Sequence, residues 1–360
     1  MRNFIPSNQK KGEGLLWALV LGVLSLFSLL YQLASTARTW LYQHGICRRQ
    51  RLKARVISVG NVTVGGTGKT PLVLYLAEKL REKNRKVAIL TRGYRRKKRE
   101  MVELTHETCR RIDWQDVGDE PYLLAKRLLD VPIMVSKRRS TSGEKALQKF
   151  GSEILILDDG LQHLRLSREL DIVVIDSVNP FGNGRLLPAG ILREPLTSLK
   201  RADIFVLTKT DHVPSTNELV HLLRRYNPQA PIVESVYRVR SIQGLFNDSS
   251  VEPKRIEEKK AYAFSGIGNP ASFENTLEQL KIHILKHRKF TDHYPYSKRD
   301  LMDLEGEARG VGADFAVTTE KDSVRIPLVN ELEIPFYVVK IDLRITQAEK
   351  TLLDKIQGRE

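Results

Sequence analysis

Val59-Gly60-Asn61-Val62-Thr63-Val64-Gly65-Gly66-Thr67-Gly68-Lys69-Thr70-Pro71 decides the fold. Just before it, Arg55-Val56-Ile57-Ser58-Val59 is a short apolar run that predicts a buried strand. Just after it, Leu72, Leu76 and Leu80, with Val73 and Leu74, recur at helical spacing. A strand, a glycine-rich turn and a helix make the frame of a phosphate-binding loop. Glycines let the backbone approach a polyphosphate closely. The free amides and the dipole of the helix start attract the anion. Residues 63–70 (Thr63, Val64, Gly65, Gly66, Thr67, Gly68, Lys69, Thr70) are therefore the expected nucleotide site, with Lys69 on the β- and γ-phosphates and the Thr70 hydroxyl on Mg²⁺. The standard pattern has glycine where Thr63 stands, so this is a variant loop.

Further strands alternate with helices along the chain. Lys86-Val87-Ala88-Ile89-Leu90, Pro132-Ile133-Met134-Val135, Glu153-Ile154-Leu155-Ile156-Leu157, Asp171-Ile172-Val173-Val174-Ile175 and Asp203-Ile204-Phe205-Val206-Leu207 all read as strands. Such alternation predicts an α/β fold with a doubly wound, mostly parallel sheet. Ligands in such sheets bind at the carboxyl ends of strands, where the polar motifs of this chain fall. Asp158 and Asp159 end one strand and are candidates for handling Mg²⁺, with Gln162 and His163 following them. Asp119 and Glu120 open a helix, and Arg193 sits in a Gly/Pro-rich exit loop. Past residue 225 the texture changes. Strand-like runs near 232–239, 261–265, 315–319 and 335–339 predict a smaller second α/β domain across a cleft. The expected division is 1–40, an amino-terminal membrane-associated helix; 41–226, the nucleotide-binding catalytic domain; and 227–360, the smaller domain closing over the cleft.

Lys plus Arg number 59 against 43 Asp plus Glu, a formal charge of +16. That excess implies an anionic partner: nucleic acid, an anionic membrane or a phosphorylated substrate. No helix-turn-helix or aromatic-basic interleaving is apparent, which argues against nucleic acid. The two cysteines, Cys47 and Cys109, make neither a metal-type cluster nor a disulfide framework. Residues 15–33 are apolar and uncharged, close to the length that crosses a bilayer. A true span and an inserted anchor both stay open, with a buried core helix as the plainer reading. A cleaved signal peptide fits poorly, since no small-residue cleavage site follows. The larger basic cluster follows the run (Arg38, Arg48, Arg49, Arg51, Lys53, Arg55) and predicts a cytoplasmic catalytic part.

Several motifs stand here in one order: the Gly-Gly-Thr-Gly-Lys-Thr-Pro loop, Thr91-Arg92-Gly93-Tyr94, Gly118-Asp119-Glu120-Pro121, Asp158-Asp159-Gly160-Leu161-Gln162-His163, Leu192-Arg193-Glu194-Pro195, Phe290-Thr291-Asp292-His293-Tyr294 and Thr318-Thr319-Glu320-Lys321-Asp322. With the apolar amino-terminal helix, the set closely resembles the tetraacyldisaccharide 4′-kinases of lipid A biosynthesis, over nearly the whole chain. The resemblance implies an ATP- and Mg²⁺-dependent kinase. It would phosphorylate the 4′-hydroxyl of an acylated disaccharide 1-phosphate lipid, giving the 4′-phosphorylated lipid A precursor. Its place would be the cytoplasmic face of the inner membrane of a Gram-negative-type bacterium, against the anionic membrane surface, with no obligate protein partner. It further implies that Asp119 is the general base with His293 its partner from the second domain, that Lys69, Asp158 and Asp159 complete the catalytic set, and that Thr70 and Asp158 hold the metal. Tyr94, Glu120, Arg138 or Arg139, Gln162, His163 and Arg193 are implied substrate contacts. A rival reading rests on Thr208-Lys209-Thr210-Asp211, which is similar to the guanine-reading element of P-loop GTPases. It suggests a GTPase or ATPase switch of the partitioning or metallochaperone kind, but leaves the apolar helix and the His293 loop unexplained.

Overall fold

The computed structural model describes residues 11–247, 249–329 and 332–358, and side chains from residue 20 onward except that of 21. One sheet runs through the chain. Its strands are β1 (Arg55–Gly60), β2 (Val87–Thr91), β3 (Val102–Leu104), β4 (Ile133–Val135), β5 (Ile154–Asp158), β6 (Leu170–Asp176), β7 (Ile204–Thr208), β8 (Ile232–Gly244), β9 (Ser250–Val251), β10 (Lys260–Ser265), β11 (His283–Lys289), β12 (Phe315–Thr319) and β13 (Phe336–Gln347). The order across the sheet is β11-β10-β12-β13-β8-β7-β6-β1-β5-β2-β4-β3, with β9 paired to β8. β1, β2, β5, β6 and β7 are almost wholly buried. This is why their sequences are continuous apolar runs: helices cover both faces of a parallel sheet.

Two long strands set the geometry of the site. β8 pairs parallel with β7 at Ile232–Glu234 and then antiparallel with β13, from Glu234 opposite Gln347 to Gly244 opposite Tyr337. β13, β12, β10 and β11 run parallel to one another. The strand direction therefore reverses at the β8–β13 seam. The carboxyl ends of the two strand sets face each other, bringing the loops after β1, β10 and β12 to one cleft. The expected boundary at 226/227 falls just before β8. Three strands escaped the periodicity reading: β3, β9 and β11. β3 and β11 are the sheet's edges, and β11 (His-Ile-Leu-Lys-His-Arg-Lys) carries the charges that protect an edge from further pairing.

The helix Lys69–Glu82 forms as expected, with Leu72, Leu76 and Leu80 fully buried on one face. Truncating one of them to Ala would cost about 2–5 kcal/mol. The amino-terminal helix α1, Lys11–Gln43, forms over the apolar run. No helix among the described residues is long and apolar enough to cross a membrane, so the spanning form of the expected membrane helix finds no support. The side chains of 15–19 and 21, and residues 1–10 with Arg2 and Lys10, lie outside the described residues. α1 has the reverse of a soluble helix's pattern. Leu26, Phe27, Leu29, Leu30 and Leu33 are exposed, whereas polar side chains of the helix hydrogen-bond to the rest of the chain. Ser28 Oγ donates to the Leu186 carbonyl at 2.8 Å and accepts the Ala189 N–H at 3.1 Å. The Tyr31 hydroxyl donates to the Arg193 carbonyl at 2.8 Å, and Arg38 to the Gln162 carbonyl at 2.9 Å.

Candidate functional site

The loop after β1 is built from its own polar residues. Asn61, fully buried, donates from Nδ2 to Thr67 Oγ1 at 3.0 Å, and its Oδ1 accepts Lys69 Nζ at 3.2 Å. Gly68 adopts φ +95°, and a Cβ there would meet the Tyr237 hydroxyl at 2.1 Å, so only glycine fits. No side chain caps the helix that starts at Lys69, which leaves first-turn amides for an anion. Of the expected nucleotide residues, 65–70 line a cavity of about 210 Å³. Thr63 and Val64 are instead tied to the 185–193 loop: Thr63 bridges to Leu192, and the Val64 N–H donates to the Ile191 carbonyl at 2.8 Å.

β5 lies beside β1 in parallel register, Val59 opposite Asp158, so the strand-end acids stand next to this loop. Asp158 is buried and accepts the Thr91 hydroxyl at 2.9 Å. Burial, together with the charges of Glu120 and Asp159, pushes its carboxyl up to about 6, against the pull of Lys69. Asp159 behaves oppositely. Burial raises it, but Lys69 at 3.5 Å and Arg193 at 2.9 Å outweigh burial and hold it below the ordinary carboxylate value. Arg139, not Arg138, reaches this corner: it is buried and donates to the Asp158 carbonyl at 3.0 Å, while Arg138 is exposed. Gln162 Nε2 donates to the Asn61 carbonyl at 2.9 Å, locking the Asp-Asp-Gly-Leu-Gln-His loop to the glycine loop. Burial and the nearby Arg139, Arg168, Arg38 and Arg165 push His163 down to about 4, so its imidazole is neutral near pH 7.

Across the cleft, His293 Nδ1 lies 2.7 Å from Asp119 Oδ2. A carboxylate only accepts, so Nδ1 carries the proton. Asp119 opens the helix Asp119–Arg127 and is 4% exposed, with Oδ1 accepting the Glu120 N–H at 2.9 Å. Burial raises its pKa, yet the hydrogen bond from His293 and the charges of Lys321, His293 and Arg325 prevail and lower it. Tyr94, exposed, stacks obliquely on the His293 ring at 5.7 Å between centroids. Glu120 takes a 3.2 Å ion pair from Lys321, which also reaches Asp292 at 3.6 Å. Arg325, which sequence reading missed, donates to Asp119 Oδ2 at 3.1 Å. Its only sequence signal is its place three residues beyond Asp322, the length of one helical turn.

Residues from both strand sets wall the cavity. The 65–71 loop, Leu74, Glu120 and Leu123 line one side; Ile267, Gly268, Phe273, Thr276 and Lys321 line the other. The cavity is therefore shared by both strand sets, with a mostly apolar wall suited to a base and a polar end suited to phosphates. Lys209 of the Thr-Lys-Thr-Asp motif is buried at its edge and paired with Asp176. Asp211 is taken by Arg238 at 3.1 Å and lies 3.6 Å from His212. A guanine-reading aspartate must offer its carboxylate to the base, and this one is already engaged.

The family model described as tetraacyldisaccharide-1-P 4′-kinase matches residues 20–357. A tetraacyldisaccharide 4′-kinase of Halothermothrix orenii is 39% identical over 345 residues, covering 91% of this chain and 90% of its own. One from Syntrophus aciditrophicus is 36% identical over 336 residues, covering 90% and 89%. Among solved structures, LpxK from Aquifex aeolicus in complex with ATP superposes with TM-score 0.76 at 32% identity, covering 94% of this chain and 99% of that one.

Proposed function

The chain belongs to the tetraacyldisaccharide 4′-kinase family, and we propose that Asp119, His293 and a Mg²⁺ ion do the chemistry of its site. The reaction is transfer of the γ-phosphate of ATP to the 4′-hydroxyl of a tetraacyldisaccharide 1-phosphate, a step of lipid A biosynthesis. It takes precedence over the GTPase switch, whose aspartate is engaged elsewhere.

One observation carries the proposed roles: the Asp119–His293 pair at 2.7 Å, beside the phosphate loop and built from opposite sides of the cleft. Asp119 takes the proton of the sugar hydroxyl as the oxygen attacks the γ-phosphorus, and the bond to the β-phosphate oxygen breaks to release ADP. His293 orients the carboxylate. Lys69 follows the developing charge on the phosphoryl oxygens, and Asp159 with Arg193 holds the Lys69 ammonium in place. Thr70 and Asp158 are hard oxygen donors fitted to Mg²⁺, which would supply charge neutralisation across the phosphates. Among the described residues no three metal-ligating side chains cluster, so phosphate oxygens and water would complete the shell, as is usual for this ion.

Residues 41–226 and 227–360 act as two lobes, their closure bringing His293 to Asp119. The lipid substrate stays in a bilayer, and α1 meets it there. Its exposed Leu26, Phe27, Leu29, Leu30 and Leu33 insert while the arginines near 48–55 face anionic headgroups at the cytoplasmic surface of the inner membrane. Neither nucleic acid nor an obligate protein partner enters this scheme. Purified protein, labelled ATP and the acylated disaccharide 1-phosphate should yield a labelled lipid only when Mg²⁺ is added. Label transfer at full rate in a chelator would remove the metal from the scheme, and an unlabelled lipid would remove the reaction.

A further inference from the structure

Arg325 is 2% exposed and is one of the largest fully buried side chains. A buried guanidinium is costly unless its charge is paired; here Nη1 and Nη2 find partners and Nε finds none. Nη1 donates to Asp119 Oδ2 at 3.1 Å. Nη2 donates to the Gly266 carbonyl at 2.9 Å and to Asp322 Oδ1. Asp322, itself fully buried, also accepts the Gly266 N–H at 2.9 Å, the Tyr296 hydroxyl at 3.0 Å and Thr319 Oγ1 at 2.6 Å. The same Gly266 carbonyl accepts the His293 N–H at 3.1 Å. One guanidinium thus touches the carboxylate on the first strand set and the backbone that carries His293 on the second.

The two oxygens of Asp119 are not equivalent. Oδ2 takes two donors, His293 Nδ1 and Arg325 Nη1. Oδ1 takes one, the Glu120 N–H. Oδ2 is therefore the more heavily engaged oxygen and Oδ1 the freer one.

We infer that Arg325 is the positioning residue of the Asp119–His293 pair: anchored by Asp322, it engages Asp119 Oδ2 and leaves Oδ1, the freer oxygen, to receive the substrate's proton. This rests on the reading of Asp119 as the base. In the step itself the hydroxyl O–H bond breaks and its proton passes to Oδ1. The hydroxyl oxygen's electron pair forms the new P–O bond, and the old P–O bond leaves with ADP. The charged and titratable groups facing Asp119 are Glu120 on its own helix, Asp292 and His293 from the loop after β11, and Lys321, Asp322 and Arg325 from the segment after β12.

The test compares Arg325→Lys, Arg325→Gln, Asp119→Ala and the Asp119→Ala/Arg325→Lys double variant, each checked for fold by circular dichroism. Arg325→Lys keeps the charge but loses the planar fork that spans Asp119 and Gly266. It should lower kcat about tenfold or more with KM for ATP within about twofold. Arg325→Gln removes a cation that favours ionised Asp119, so the acidic limb of its kcat–pH profile should move to higher pH. In the Asp119→Ala background Arg325→Lys should cost nothing further, because Arg325 acts through Asp119. A folded Arg325→Lys enzyme with full kcat, or an equal loss in both backgrounds, overturns the inference. If Arg325→Gln does not fold, the Lys variant and the double variant decide. Wild-type kcat in Asp119→Ala would instead sink the reading of Asp119 as base, an outcome distinct from failure of the Arg325 arm.

Discussion

His293 Nδ1 and Asp119 Oδ2 stand 2.7 Å apart although 174 positions separate them in the chain. The bond crosses the cleft, so the proposed base is complete only when both sides are in place. Asp119→Ala and His293→Ala should each lower kcat by about 10²–10⁴ with little change in KM for ATP. Their double variant should cost less than the sum, as members of one unit do. The hydrogen bond from His293 is the strongest influence lowering the Asp119 pKa. His293→Ala should therefore raise that pKa and move the acidic limb of kcat to higher pH. Additive losses together with an unmoved limb would dissolve the pair.

Asp158 illustrates the opposite electrostatics. Burial and its acidic neighbours lift its carboxyl from 3.8 to about 6 in the folded chain. Below 3.8 the group is neutral folded or unfolded and costs nothing. Between 3.8 and 6 the unfolded chain ionises first, so stability falls as pH rises, and the full penalty stands above about 6. Asp158→Asn should therefore stabilise the metal-free protein at pH 8 by about 1–3 kcal/mol while abolishing transfer. A melting temperature at pH 8 equal to or below wild type would contradict this.

Asp211 separates the kinase from its rival. Its carboxylate is held by Arg238 at 3.1 Å rather than presented to the cavity. Asp211→Asn should leave KM for ATP within about twofold and should not alter the ratio of ATP to GTP use, since no base contact is lost. A large shift in that ratio would revive the guanine-reading role of the Thr-Lys-Thr-Asp motif.

Much of the nucleotide half was legible because its signals are local. Five continuous apolar strands, one leucine-spaced helix and the glycine loop each lie within about fifteen residues of sequence. The seam between β8 and β13 was not, because strand pairing between residues 234 and 347 leaves no mark on either segment. Arg325 was missed for a related reason. Its partners Asp119 and Gly266 meet it only in three dimensions, and an isolated arginine reads as surface. Arg139 against Arg138 was likewise beyond a sequence: which of two adjacent arginines faces Asp158 depends on where the helix Arg139–Phe150 begins. A helix does form over the apolar run, but the Ser28, Tyr31 and Arg38 contacts that dock it were invisible within a run that looks uniformly greasy.

On the proposed reading, α1 has two separable roles. Its exposed leucines face outward, and its polar stripe holds the loop that carries Arg193, the partner of Asp159. Deleting residues 15–33 should move the protein from the membrane to the soluble fraction. Attachment of the intact chain should survive high salt, which screens basic-surface attraction but not apolar insertion. Ser28→Ala tests the second role while leaving the apolar surface intact. It strips both bonds from a buried hydroxyl, one to the Leu186 carbonyl and one from the Ala189 N–H. That loss should cost about 1–2 kcal/mol locally. The 179–195 loop should then become more sensitive to protease and kcat should fall modestly, with membrane binding unchanged. Unaltered proteolysis of that loop in Ser28→Ala would show that α1 anchors the protein without shaping its site.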